Sequence, residues 1–119
     1  MAEIPSNILL AEEFARIFDG FSIGSNDLTQ LTLGLDRNSS KLEYLFDERN
    51  PAVKELIRML IKKAHKYRKP VGICGEAPSN YPDFTEFLVK ERIDSISVNP
   101  DVALETILLV SRVEKKLRK

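Results

Sequence analysis

The stretch Phe21-Ser22-Ile23-Gly24-Ser25-Asn26-Asp27-Leu28-Thr29-Gln30 constrains this chain more than any other. A short apolar run ends at a glycine, passes through small polar residues and a carboxylate, and resumes as a new apolar segment. That order suits a buried strand delivering main-chain amides and one carboxylate to the rim of a sheet. Gly24 permits either a positive φ or the close approach of a ligand. Ser25, Asn26 and Asp27 can offer N–H groups and side-chain donors to an anion, and Asp27 can hold a hard cation such as Mg²⁺. The same residues also suit a plain turn, so the rest of the chain has to decide between the two.

Upstream, Ile4-Pro5-Ser6 ends an extended segment, because a residue before proline is pushed away from helix. Ser6 or Asn7 can then cap a helix running to about Phe18, with Ile8, Leu9, Phe14, Ile17 and Phe18 towards its apolar side. Leu28 to Gly34 leaves the loop as a short apolar piece, and Leu42 to Phe46 suits a brief helical turn. Asn50-Pro51 sets a cap ahead of a first-turn proline, which predicts a long helix from Pro51 to about Tyr67. Val53, Leu56, Ile57, Leu60, Ile61 and Ala64 form its buried stripe. Lys62, Lys63, Lys66, Arg68 and Lys69 crowd its last turns as a solvated face that complements the helix dipole. Val71-Gly72-Ile73-Cys74-Gly75 repeats the strand-then-glycine pattern. A helix over Tyr81 to Glu91, a strand over Ile93 to Val98 and a closing helix from Val102 to about Leu117 complete the chain.

The expected class is α/β: about four parallel strands alternating with helices, the first present only as its last few residues. Such strands are buried on both faces and apolar throughout. Ligands bind beyond the carboxyl ends of the strands of such sheets. The residues with chemistry to offer fall there: Glu3 after or within the first strand, Gly24 to Asp27 after the second, Cys74 to Glu76 after the third.

Composition narrows the function classes. The chain has 119 residues, one domain's worth, and 43% apolar with 30% charged residues marks it as folded rather than disordered. Lys and Arg together number 18, as do Asp and Glu, so bulk charge favours neither nucleic acid nor an acidic membrane as partner. No apolar run approaches the ~20 residues that cross a bilayer. Met1-Ala2-Glu3-Ile4-Pro5 lacks the basic and apolar regions of a secretory signal. The single cysteine excludes an internal disulfide, and together these features predict a cytoplasmic protein.

Glu3-Ile4-Pro5-Ser6, Phe21 to Gln30, Asp36-Arg37 and Gly72-Ile73-Cys74-Gly75-Glu76, in their order and spacing, resemble the carboxyl-terminal part of the phosphoenolpyruvate-utilising enzyme family. Gly75-Glu76-Ala77-Pro78-Ser79 and Asp94-Ser95-Ile96-Ser97-Val98-Asn99-Pro100-Asp101 are most similar to its pyruvate, water dikinase branch. The resemblance implies that residues 1–119 form a partial domain, the C-terminal half of a (β/α)8 TIM barrel. It implies Mg²⁺ held by Glu3 and Asp27, and pyruvate or phosphoenolpyruvate bound by Gly24, Ser25, Asn26, Asp27 and Arg37. Cys74 is then the general acid–base at the substrate's methyl or methylene carbon. The implied reaction converts ATP, pyruvate and water to AMP, phosphoenolpyruvate and phosphate. Taken alone, each residue has a plainer reading. Cys74 can be a small buried hydrophobe, Asp27 the cap of a helix starting at Leu28, Glu3 a terminal charge and Arg37 a solvated cation. Glu76 suits either a loop-orienting role or plain surface, and His65 is expected to be exposed.

The family's phosphohistidine and ATP-binding domains, and the arginines of the earlier barrel strands, have no counterpart here. His65 is the only histidine and no glycine-rich nucleotide loop occurs. The expected partner is therefore the N-terminal part of such an enzyme, and no dikinase turnover is expected of this chain alone. Half a barrel also leaves open sheet edges, which predicts a homo-oligomer. The alternative is a non-catalytic regulatory or assembly subunit that uses the half-barrel as a binding surface.

Overall fold

The structure is a computed structural model that describes residues 1–36 and 40–118; Arg37 lies outside the described residues. Its elements in chain order are α1 (Pro5–Leu9), α2 (Ala11–Ala15), β1 (Phe21–Gly24), α3 (Ser25–Leu33), α4 (Pro51–Lys66), β2 (Val71–Cys74), α5 (Ala77–Asn80), α6 (Pro82–Lys90), β3 (Ser95–Ile96) and α7 (Ala103–Leu117). Single 3₁₀ turns at Glu43–Leu45 and Pro100–Val102 precede α4 and α7. The strands form one parallel sheet in the order β1-β2-β3. Ala2 extends it by one residue: the Ala2 N–H donates to the Ser22 carbonyl at 2.7 Å, and the Gly24 N–H donates to the Ala2 carbonyl at 3.1 Å. The expected first strand is thus a single bridge, and the architecture is a mixed α/β domain with a small parallel sheet.

Register decides what each face of the sheet carries, since residues paired across parallel strands project to the same side. Phe21 pairs with Val71, and Ile23 with Ile73 and then Ile96. That side joins the core with Ile8, Ala11, Leu28, Val53, Ile57, Leu60, Phe84 and Leu88. Ser22, Gly72 and Ser95 form the next row, and Gly24 pairs with Cys74. The strands are therefore not apolar throughout. They alternate, because helices cover one face and leave the other open, with Ser22, Gly72 and Ser95 lining a cleft of about 540 Å³.

α4 is the centre of the helical layer. The Asn50 side chain accepts from the Ala52 N–H at 2.9 Å, as expected of the cap, and Pro51 takes the first helical position. Val53, Ile57, Leu60, Ile61 and Ala64 are buried along the expected stripe. Its basic end is less free than expected. Lys63 Nζ donates to the carbonyls of Ile8 and Leu9 at 3.0 and 3.1 Å, and Lys66 pairs with Glu12 at 3.2 Å. These lysines fasten α1 and α2 onto α4.

The first helical region also departs from expectation. It starts at Pro5, whose fixed φ suits the first position. Asn7 reaches back to accept from the N–H groups of Glu3 and Ile4, both at 3.3 Å, and Ser6 caps nothing. The helix breaks at Leu10 (φ −102°, ψ 19°), separating α1 from α2. Small Ala11 and Ala15, with Ile8, face the core, while Leu9, Leu10, Ile17 and Phe18 are exposed. The expected Tyr81–Glu91 helix starts instead at Pro82, because the residue before proline is held extended; Tyr81 has φ −129° and ψ 99°. Ile93–Val98 pairs only at Ser95–Ile96, with flanking main-chain bonds from Asp94 to Val71 and from Ser97 to Ile73.

Candidate functional site

The carboxyl ends of Ala2, β1 and β2 meet at one rim of the sheet. Gly24 has φ −96°, so its value lies in close approach rather than in a left-handed turn. A Cβ there would come within 2.9 Å of Glu3 Oε2 and 3.2 Å of Glu3 Cβ. The Glu3 side chain therefore lies across Gly24, on the same side of the sheet as Cys74.

α3 begins immediately after Gly24, so Ser25, Asn26 and Asp27 are its first three residues. Asp27 is neither a plain turn residue nor the cap of a helix at Leu28; it sits within the first turn, where a carboxylate complements the positive end of the dipole. The N–H groups of that turn have no acceptor within the helix, which suits them to an anion. Thr29 Oγ1 donates to the Ser25 carbonyl at 2.7 Å and braces the turn from inside. The Ser25 hydroxyl points into the protein and donates to Glu48 Oε1 at 3.1 Å. Both Ser25 and Glu48 are buried. Asn26 Oδ1 accepts from the Glu76 N–H at 3.3 Å. A main-chain N–H can face only the oxygen end of an amide, so the Asn26 NH₂ is turned the other way.

Cys74 ends β2. Its thiol donates to the Ile23 carbonyl at 3.5 Å and accepts from Ser22 Oγ at 3.9 Å. The half-buried thiol therefore faces neighbouring β1. Gly75 follows at φ +112°, and a Cβ there would overlap the Ser25 hydroxyl. The loop after β2 can cross the start of α3 only because this residue is glycine. Further out, the Asn99 N–H donates to Ser79 Oγ at 2.9 Å, and Asn99 Nδ2 to Glu76 Oε2 at 3.5 Å. Glu76 is thus a loop-orienting residue that joins the segments following all three strands.

Glu3, Gly24, Ser25, Asn26, Asp27 and Cys74 are brought to one rim by this arrangement. His65 is elsewhere: its Nε2 lies 2.7 Å from Asp94 Oδ2, beside the start of β2. Sequence reasoning missed Glu48, which sits in Phe46-Asp47-Glu48-Arg49-Asn50, a string that reads as solvated charge. It also missed Asn99 and Ser79, whose pairing depends on how the loops fold over the strand ends. A cleft of about 850 Å³ opens between α6, β3 and α7, but no residue of the rim lines it.

Glu3 and Asp27 supply hard oxygen donors suited to Mg²⁺, which takes one or two carboxylates and fills its octahedron with ligand oxygens and water. Among the described residues, no group of three His, Cys, Asp or Glu side chains could enclose a metal unaided. No helix among them is long and apolar enough to cross a membrane.

Residues 1–115 match the family described as "PEP-utilising enzyme, PEP-binding domain". The chain is 65% identical over 117 residues to phosphoenolpyruvate synthase of Aquifex aeolicus and 57% identical over 115 residues to that of Escherichia coli. It is 58% identical over 119 residues to a probable phosphoenolpyruvate synthase of Staphylothermus marinus. These matches cover 98%, 97% and 98% of the chain but only 14% of each relative.

Proposed function

Since the chain belongs to the PEP-utilising enzyme family through its PEP-binding domain, we propose that it binds phosphoenolpyruvate or pyruvate at the carboxyl ends of β1 and β2. The observation that carries this reading is the meeting of the first turn of α3, Glu3 and the Cys74–Gly75 corner at a single rim. Amides at a helix start and the Asn26 NH₂, the end of that amide turned away from the Glu76 N–H, suit the carboxylate and phosphate oxygens of such a ligand. Glu3 and Asp27 hold Mg²⁺, which when bound supplies Lewis-acid polarisation of a ligand oxygen. Arg37 adds a permanently charged fork for the phosphoryl group.

Cys74 carries the proton chemistry. Its thiol proton passes to the methylene carbon as pyruvate forms, and the thiolate recovers a proton from the methyl carbon in reverse. The Ile23 carbonyl and Ser22 hydroxyl hold the sulfur in place meanwhile. In this reading the chain is the C-terminal half of a (β/α)8 barrel within a phosphoenolpyruvate synthase, and the open Ser/Gly/Cys face is the inner wall. Phosphoryl carriage in this reading belongs to other parts of such an enzyme, and His65 pairs with Asp94 away from the rim. The chain alone binds without turning over.

Calorimetric titration with phosphoenolpyruvate in the presence of Mg²⁺ tests this. Binding is expected for the wild type and is lost in Asp27→Ala. Absence of binding by the wild type, or undiminished binding by the variant, overturns the reading.

A further inference from the structure

Glu48 is a buried carboxylate with no place in the chemistry above. It is only 3% exposed and lies in the loop before α4, far in sequence from the rim. Carboxylates are rarely buried unless something in the protein repays their desolvation. The Ser25 hydroxyl donates to Glu48 Oε1 at 3.1 Å, and Ser25 itself is fully buried, so water cannot substitute for either partner. Ser25 in turn fills the space where a Cβ on Gly75 would stand. Its hydroxyl is therefore the solid surface against which the Cys74–Gly75 corner rests.

We infer that Glu48 is a positioning residue of the rim: by holding the Ser25 hydroxyl inward, it sets how the Cys74–Gly75 corner sits on the first turn of α3. This deepens the phosphoenolpyruvate reading and rests on it. Two consequences follow from the geometry. The Ser25 hydroxyl lies within hydrogen-bond reach of both Glu48 Oε1 at 3.1 Å and Asn26 Oδ1 at 3.5 Å; without Glu48 it donates to Asn26 alone and competes with the Glu76 N–H that also binds there. The Cys74 corner and the Asn26 amide then shift together.

A double-mutant cycle of Ser25→Ala and Glu48→Ala on the 119-residue chain tests this, with Glu48→Gln as the conservative arm. Two quantities are read: the alkylation rate of Cys74 by iodoacetamide without ligand, and the Kd for phosphoenolpyruvate with Mg²⁺. Each alanine variant is expected to change the alkylation rate and to weaken binding by about tenfold, the scale of one buried charge-assisted hydrogen bond. The double variant should fall short of the sum of the two singles, because the two residues share one contact. Glu48→Gln keeps an acceptor for Ser25 and should restore most of the wild-type alkylation rate. Additive effects, or a Cys74 rate unmoved by Glu48→Ala and Glu48→Gln alike, overturn the inference. Should Glu48→Ala fail to fold, the decision passes to Glu48→Gln: near-wild-type alkylation supports the inference, and a rate as altered as that of Ser25→Ala opposes it. If the wild type binds no phosphoenolpyruvate, the ligand reading fails, yet the alkylation cycle still decides the role of Glu48.

Discussion

At the scale of single residues, two glycines with positive φ separate backbone strain from steric fit. Gly34 closes α3 in the left-handed region (φ +65°) with nothing within 4 Å of where a Cβ would stand. Gly34→Ala should therefore cost only the left-handed penalty, about 1 kcal/mol. Gly75 has φ +112° and also abuts Ser25, so Gly75→Ala adds overlap to strain. It should cost about 3 kcal/mol, towards the upper end for such outliers, and disturb Cys74 as well. Thermal unfolding of both variants, with Cys74 alkylation as a second probe, checks this; equal losses at the two sites would show that Ser25 does not brace the corner. Gly75 was legible only as the end of a strand: Gly24 follows a similar apolar run with φ −96°, and what sets Gly75 apart is the crossing of its loop over Ser25. Glu48 was not legible, since its burial comes from loop closure over Ser25, and neighbours Asp47 and Arg49 satisfy each other at 2.8 and 3.1 Å in the manner of any surface pair.

At the scale of elements, what could be read from sequence was what local chemistry alone decides. α4 appears where the Asn50-Pro51 cap and a 3.6-residue stripe agree. α1 and α2 show the limit: the apolar residues are there, but which of them turn inward depends on how closely α4 approaches, and the two alanines win. α3 is hard to see in sequence because Ser25, Asn26 and Asp27 are poor helix formers inside a helix, where they stand here behind a Gly24 cap. The joint between α4, β2 and β3 yields a pH prediction. Asp94 Oδ2 accepts from the Val71 N–H at 2.8 Å and faces His65 Nε2 at 2.7 Å. Burial pushes the Asp94 carboxyl up, but the His65 and Val71 hydrogen bonds outweigh it and hold the group below its ordinary value of 3.8. A depressed folded pKa contributes stability that is present above the unfolded value and is lost as pH falls through the folded one. Asp94→Asn, which keeps an acceptor for Val71, should lower Tm at neutral pH. The gap to wild type should close as pH drops from 3.8 downward. Because the Asp94 side chain is 43% exposed, the gap should be small. A gap unchanged by acid would assign the stability of the joint to packing alone.

At the scale of the whole molecule, the exposed surface is larger than the chain's mass predicts. Its accessible area is 7447 Å² for 13.5 kDa, whereas a compact monomer of that mass exposes roughly 6,500 Å². The excess, about 900 Å², is close to the ~800 Å² that each partner buries in a standard protein interface. Exposed apolar side chains stand at both ends of the element order, Leu9, Leu10, Ile17 and Phe18 around α1 and α2 and Leu104, Ile107 and Leu108 along α7, the last three being 78%, 63% and 64% exposed; Leu31, Tyr44 and Leu45 are exposed between them. Among the described residues, no strand lies beyond Ala2 at one sheet edge or beyond β3 at the other. In a longer relative, other segments can cover these faces; for this chain in isolation the available cover is a second copy, with the α7 end of one meeting the α1–α2 end of the other. Size-exclusion chromatography with light scattering should therefore give a dimer or larger species at micromolar concentration. Ile107→Glu with Leu108→Glu should return it to a monomer while leaving Tm nearly unchanged, because exposed substitutions away from packed sites rarely move stability by more than about 0.5 kcal/mol. A wild type that stays monomeric on dilution and concentration alike would mean that these apolar faces are tolerated by a free chain, and the oligomer expectation would fall with them.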